Sequence, residues 1–363
     1  MVSLALGGDV MLGRGIDQIL GHPGDPALWE TYVHDARDYV RLAEAVNGPV
    51  PRRADPRWPW GDALPHLRDA DVRVLNLETA VTAGGAPAAG KGIHYRLHPA
   101  NLTCLTAARP DVCSLANNHV LDFGAGALVD TLDALRAAGL RTAGAGADGA
   151  AAWRPAVVAS GGVRIVVVAA GLPSSGIPAE WAAADGPGVA YVPEPSDARA
   201  RRIAAVIDAV RRPGDLVVVS LHWGGNWGYR VGRDERRFAH ALIDGGADVV
   251  HGHSSHHPRP IEIHHGRLIL YGCGDLINDY EGIGGHERFR PDLRLVYLAR
   301  LDPADGTLTR LRMVPLRARR LRLEHATTAE RDWLRDTLDE ISRPYGVRVG
   351  AGVDRVVLFD SDI

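Results

Sequence analysis

Short, near-continuous apolar runs alternate with Ala/Leu/Arg-rich stretches along most of the chain. Val2–Leu6, Val72–Leu75, Val112–Leu115, Val163–Ala169, Leu216–Leu221, Ala247–His251 and Leu268–Tyr271 read as strands. Runs that are apolar at nearly every position suit a sheet covered on both faces, because a half-exposed strand alternates with period two. Ala127–Ala138, Asp197–Arg211 and Glu235–Asp244 show helical spacing among good helix formers and read as helices. Strands alternating with helices predict an α/β architecture. Further on, Leu295–Leu301 and Leu308–Pro315 read as strands about a turn at Asp302–Gly306. A helix over Thr328–Ile341 follows, with Thr327 or Thr328 as its N-cap.

Two stretches break the alternation. Gly21–Arg57 is an insertion with a predicted helix over Leu28–Val46, and Ala83–Pro99 is Gly/Ala-rich before turning polar at His94-Tyr95-Arg96. Long connections in compact enzymes commonly carry substrate-binding loops. The chain has 363 residues, enough for one large buried core. The expected organisation is one domain over 1–316, with its insertion at 21–57, and a helix–strand appendage over 317–363. The 41 Lys and Arg residues against 44 Asp and Glu leave no basic footprint, so neither nucleic acid nor an anionic membrane is an expected partner. No run reaches the roughly 18–20 apolar residues of a membrane span. The start, Met1–Asp9, lacks the charged n-region of a secretion signal. Cys104, Cys113 and Cys273 are odd in number and lack metal-ligand spacing, so a reducing, cytoplasmic setting is expected. Lys91 is the only lysine, which reads as GC-rich coding bias.

The chemistry lies at the ends of the apolar runs. Asp9 ends the first, Asn76 and Glu78 the second, and Asn117-Asn118-His119 the third. His222 ends another, His251-Gly252-His253 leads into His256-His257, and Asp275 follows the run through Tyr271. In open α/β sheets ligands bind beyond the strand carboxyl ends. Each residue alone is as readily a cap or a turn. Six such ends together predict a crevice of Asp, Glu, Asn and His side chains suited to a divalent cation.

Gly8-Asp9-Val10-Met11, Asn76-Leu77-Glu78-Thr79, Ala116-Asn117-Asn118-His119 and Leu221-His222-Trp223-Gly224 resemble, in order and spacing, the CapA family, named for poly-γ-glutamate capsule synthesis. Ala241–Val250 and His251-Gly252-His253 continue the match, so the resemblance covers roughly residues 2 to 315. The family is similar to the calcineurin-like metallophosphatases, which implies an α/β fold with a β-sandwich flanked by helices and a metal site at the sandwich edge. The chain departs from the dinuclear pattern of those enzymes. Met11 and Ser255 stand where that pattern has imidazoles, and neither is a good ligand for a hard divalent ion. The other position retains Glu78, Asn118, His222 and His253, with Asp9 beside them. One metal ion is therefore expected, Ca²⁺ or Mn²⁺, and no organic cofactor. Two-metal phosphoester hydrolysis fits poorly, because it relies on a clamp of two ions.

Proton-transfer groups remain. The resemblance implies that His119 is a proton donor held by a carboxylate, for which Asp9 and Asp122 are the candidates. His256 and Asp275 offer a second His/carboxylate pair. Two such pairs allow a proton to be removed on one face of a carbon and returned on the other. That chemistry is similar to the soluble lasso-peptide epimerase branch of the family, whose substrate is the C-terminal residue of a precursor peptide. A peptide substrate is the partner this implies. A metallophosphoesterase of capsule or envelope metabolism and a non-catalytic binding protein are the alternatives. Trp223 and Trp227 can wall a substrate cleft or equally pack in the core, and Arg14, Arg96 and Arg230 can bind a carboxylate, though a surface or structural ion pair is the commoner use of any one of them.

Overall fold

A computed structural model describes residues 1–350 and the strand Val356–Leu358. Of the appendage expected over 317–363, residues 351–355 and 359–363 lie outside the described residues. The chain begins with four parallel strands, β1 (Val2–Val10), β2 (Val72–Leu77), β3 (Val112–Ser114) and β4 (Arg141–Ala143). It then crosses to a second sheet made of β5 (Ala156–Ser160), β6 (Val163–Gly171), β7 (Leu216–His222), β8 (Val249–His253), β9 (Ile261–His264) and β10 (Arg267–Leu270). It returns to the first sheet with β11 (Asp275–Ile277), β12 (Leu293–Leu301), β13 (Leu308–Ala318), β14 (Leu323–His325) and β15 (Val356–Leu358). The first sheet runs β14-β13-β12-β1-β2-β3-β4, with β11 on β1 and β15 on β13, and the second runs β9-β10-β8-β7-β6-β5.

The two sheets face each other. Ile165, Val167, Ala169, Val218, Val249 and Leu268 of the second share one core with Leu4, Leu6, Val74 and Val112 of the first. The alternate residues Val166, Val168, Val217, Val219 and Val250 form a second core on the outer face. That face is covered by two of the main helices, α1 (Arg37–Asn47), α2 (Gly124–Ala137), α3 (Asp197–Asp208), α4 (Arg233–Asp244) and α5 (Thr328–Ser342). Ala200, Ile203 and Ile207 of α3, with Phe238, Ala239 and Leu242 of α4, are the covering residues. Burial on both faces explains the unbroken apolar runs. Each fully buried Val, Leu or Ile contributes about 1.5–3 kcal/mol. A one-residue slip would exchange the faces, so the register is tightly specified.

The expected α/β fold, a β-sandwich flanked by helices, is the observed one. Thr327 caps α5, accepting from Glu330 N–H while Glu330 reaches back to Thr327 N–H at 2.7 Å. The helix expected over Leu28–Val46 is shorter, forming only at Arg37–Asn47. Before it the chain doubles back, with Leu28 N–H on His34 O (3.0 Å) and Ala36 N–H on Pro26 O (2.7 Å). The Asp35 carboxylate takes Arg37 N–H at 2.9 Å and so starts the helix there. Asp275 also sits differently from expectation. It opens β11 in the first sheet, because the chain changes sheets after Leu270.

Candidate metal and acid/base centre

Sheet register assembles the centre. Asp9 on β1 lies opposite Asn76 on β2 and opposite Asp275 on β11. Asn76 in turn lies opposite Ser114 on β3, four residues before Asn118. In the facing sheet His222 on β7 pairs with His253 on β8. A bulge at Gly8 interrupts the β1–β2 register and re-aims Asp9. Only glycine fits there, since a Cβ would stand 1.7 Å from the Gly274 carbonyl oxygen.

These side chains are in mutual contact, and Asp9, Asn76, Glu78, His222 and His253 are buried while Asn118 is half-buried. Asn76 Nδ2 donates to Asp9 Oδ1 at 2.7 Å and to Glu78 Oε2 at 3.1 Å. His222 Nδ1 lies 2.8 Å from His253 Nδ1, and His222 Nε2 lies 2.9 Å from Asn118 Oδ1. Glu78 Oε1 is 3.7 Å from His222 Nε2 and 3.8 Å from His119 Nε2. Ligand atoms of Asp9, His222 and His253 all lie within 4.8 Å of one another. Ser220 Oγ holds His253 Nε2 at 2.9 Å, which directs the other ring nitrogen inward.

The electrostatics fit a cation. Burial, and then the charge of Asp275, push the Asp9 carboxyl up to about 7. Burial and the charge of Asp9 push Glu78 well above its ordinary value. Two carboxyls are thus crowded at this point, and the charges of His256 and Lys91 offset their burial only in part. Burial holds His222 and His253 well below the ordinary imidazole value, leaving the neutral rings that metal ligation requires. Two imidazoles, two carboxylates and an amide oxygen form a mixed N/O donor set suited to one divalent ion. Met11 is buried, and Ser255 Oγ donates to His257 O at 2.9 Å, so neither adds a ligand here.

Two His/Asp pairs stand at opposite ends of the β11–β1–β2–β3 row. His119 Nδ1 meets Asp122 Oδ2 at 2.6 Å, so Asp122, rather than Asp9, holds this histidine. His256 Nδ1 meets Asp275 Oδ1 at 3.0 Å. Burial lowers His119 to about 4 despite the Asp122 charge. At His256 burial lowers the imidazole, but the charge and hydrogen bond of Asp275 together with the charge of Asp9 outweigh it and raise the imidazole above its ordinary value. A cation backs each pair, half-buried Lys91 at one and buried Arg294 at the other. Lys91 Nζ contacts Asp122 Oδ1, Asn118 O and, at 3.0 Å, His119 Nδ1. Arg294 Nη2 donates to Asn278 Oδ1 at 2.9 Å, and Asn278 Nδ2 donates to Asp275 Oδ2.

A cavity of about 650 Å³ opens beside His256 and Asp275, lined also by Trp227, Tyr280, His286 and Arg294. Trp227 stacks on His286 with centroids 3.8 Å apart and lies 5.2 Å from His256. It is placed to wall this cavity. Trp223 is not. It is fully buried against Phe238 and Tyr271 in the helix-covered core, with Nε1 on Tyr271 O, because strand alternation turns it away from its neighbour His222. Arg14 also departs from expectation. Its buried guanidinium is engaged by Asp279, by Glu30 at 2.6 Å and by Tyr39 at 3.0 Å, leaving no fork for a substrate. Arg96 lies over Phe123 and reaches Asp25 of the insertion at 3.6 Å. Arg230 is exposed, and its carbonyl accepts from Arg259 Nη2.

Lys91, Ser220, Asn278 and Arg294 were missing from the expected set. Lys91 did carry a signal in being the only lysine beside some forty arginines. Two acceptors, Asp122 Oδ1 and Asn118 O, converge on its compact ammonium beside the His119 ring, a corner that suits a point charge better than a planar guanidinium.

Fold and centre together define a two-sheet α/β protein with a buried His/Asp/Glu site suited to a divalent metal. The chain belongs to the bacterial capsule synthesis protein PGA_cap family, whose model matches residues 3–280. It is 54% identical over 98% of its length to a probable polyglutamine synthesis accessory protein of Mycobacterium tuberculosis, covering 95% of that protein. It is 25% identical to the capsule biosynthesis protein CapA of Bacillus anthracis over 77% of this chain and 60% of that one. A 5′-nucleotidase precursor from Thermus thermophilus aligns at TM-score 0.45 and 15% identity, over 94% of this chain and 58% of that one. Among the described residues no helix is long and apolar enough to cross a membrane.

Proposed function

We propose that this protein is a metal-dependent acid/base enzyme acting on a peptide, and that it inverts the Cα of a C-terminal residue. The single observation that carries this reading is the pair of His/Asp dyads, His119–Asp122 and His256–Asp275, at opposite ends of one strand row. Each carboxylate fixes one ring nitrogen and leaves the other for proton exchange. One imidazole takes the Cα proton while the other returns a proton to the opposite face, so no net proton is consumed. Asp9, Glu78, Asn118, His222 and His253 would hold one Ca²⁺ or Mn²⁺ ion. When bound, such an ion would supply positive charge to the centre. Trp227 walls the substrate cavity. The substrates that follow are a polyglutamine-type chain, from the name of the mycobacterial relative, or the C-terminus of a ribosomal (lasso) precursor peptide. Neither nucleic acid nor a membrane is a partner in this reading.

A second reading, metallophosphoester hydrolysis, draws on the Asp9–His222–His253 cluster. One experiment separates the two. The Mn²⁺- or Ca²⁺-loaded protein is incubated in D₂O with glutamine-type and lasso-precursor peptides, and in parallel with an aryl phosphate. Single-deuteron incorporation at one Cα, lost on chelation and in H119N and H256N, is the expected result. Metal-dependent phosphate release without Cα exchange would overturn the proposal.

A further inference from the structure

Outside the cleft, on the surface where helix α4 meets the β9–β10 hairpin, Asp244, His264 and His265 form a second cluster. Ligand atoms of all three lie within 4.8 Å of one another. His264 Nε2 is 3.0 Å and His265 Nε2 is 3.7 Å from Asp244 Oδ1, and the two rings lie 4.1 Å apart. Zinc bonds of roughly 2.0–2.1 Å in tetrahedral geometry hold ligand atoms about 3.3–3.4 Å apart. The two observed separations straddle that value, so small side-chain rotations would complete the site.

Three further features favour a cation at this spot. Asp244 is the last residue of α4, whose final turn contains no basic residue. A carboxylate at the negative end of a helix dipole is unfavourable unless a cation sits beside it. His265 and Gly266 form the two-residue turn between the paired residues His264 and Arg267, with φ of 48° and 79°. This type I′ geometry favours Asn-Gly or Asp-Gly, so a histidine in the first position occupies a place where another side chain is conformationally easier. The His264 ring is also held in place, stacked on His240 at 3.9 Å and 6°, while His240 itself is engaged by Glu262 at 3.0 Å. Arg267 does not fill the site, since its Nε is on Asp248 at 2.9 Å.

We propose that Asp244, His264 and His265 bind one divalent transition-metal ion, Zn²⁺ by their N₂O donor set, which pins the hairpin to the end of α4 and leaves a coordination position open to water. The site is separate from the cleft centre and does not depend on the function proposed for it.

The test uses the full chain stripped of metal by a chelator. Zn²⁺ is titrated against a chromogenic competitor, and thermal melts are recorded with and without one added equivalent. The informative variant is H265N, because asparagine suits the turn and the variant folds without the ligand. H265N is expected to melt no lower than the wild type when metal-free. It is also expected to bind one equivalent fewer and to lose part of the zinc-dependent rise in Tm, and D244N should share both losses. Unchanged stoichiometry and an unchanged rise in H265N would overturn the proposal. So would wild-type occupancy of this site only at millimolar zinc.

Discussion

Replacing Lys91 by methionine removes the ammonium that contacts Asp122, His119 and the Asn118 carbonyl while keeping most of the side-chain volume. Asp122 is fully buried, and the Lys91 side chain is 18% exposed. Removing one partner of a buried ion pair costs about 3–5 kcal/mol. Asp122 retains His119 Nδ1 and Tyr95 N–H, both at 2.6 Å, so the lower end, about 3 kcal/mol, is expected. The second effect is electrostatic. A unit charge 3.0 Å from the imidazole is worth about 5 kcal/mol at an effective dielectric of about 20. A third of that, after screening by solvent, still exceeds the roughly 1.4 kcal/mol of one pH unit. The His119 imidazole, held near 4, should therefore titrate at least about one unit higher in K91M. Urea denaturation and histidine-resolved NMR titration of the metal-free protein measure the two effects. K91R should restore only part of the stability, because its broad planar fork does not fit a corner in which Asp122 Oδ1 and Asn118 O converge on one compact ammonium. K91M with wild-type stability and an unmoved His119 titration would refute the reasoning.

Two other perturbations probe the scaffold. R14M leaves the Asp279 and Glu30 carboxylates buried without their cation and should destabilise by about 3–5 kcal/mol in urea denaturation, whereas a loss under 1 kcal/mol would contradict the burial argument. Burial pushes the Glu262 carboxyl up, but hydrogen bonds from Arg236, Tyr271 and His240 outweigh it and hold it below its ordinary value. Its contribution is complete above the unfolded-state value of about 4.3 and is lost as pH falls through the lower folded value. E262Q should therefore flatten the acid side of the stability–pH curve, and an unchanged curve counts against that role.

The α/β alternation and the strands of both sheets were legible because burial on two faces demands continuous apolar runs, and such runs can be seen in one dimension. The strand-end residues Asp9, Glu78, Asn118, His119, His222 and His253 were legible for the same reason, since polar groups that interrupt apolar runs stand out. Other features needed the tertiary structure. Trp223 neighbours His222 in sequence, yet one step along a strand reverses the face, which buries the tryptophan under α4. Arg14 resembled any exposed arginine until Asp279, 265 residues away, closed on it. The choice of Asp122 over Asp9 as the partner of His119, and the cation Lys91 behind that dyad, depend on loops whose paths no periodicity records, and Arg294 reaches the other dyad from a strand distant in sequence. The sequence by itself determined which side chains lie at strand ends, because alternation and burial are local properties. Which of them face one another, and across what distance, was decided by register and sheet closure, which couple residues hundreds of positions apart.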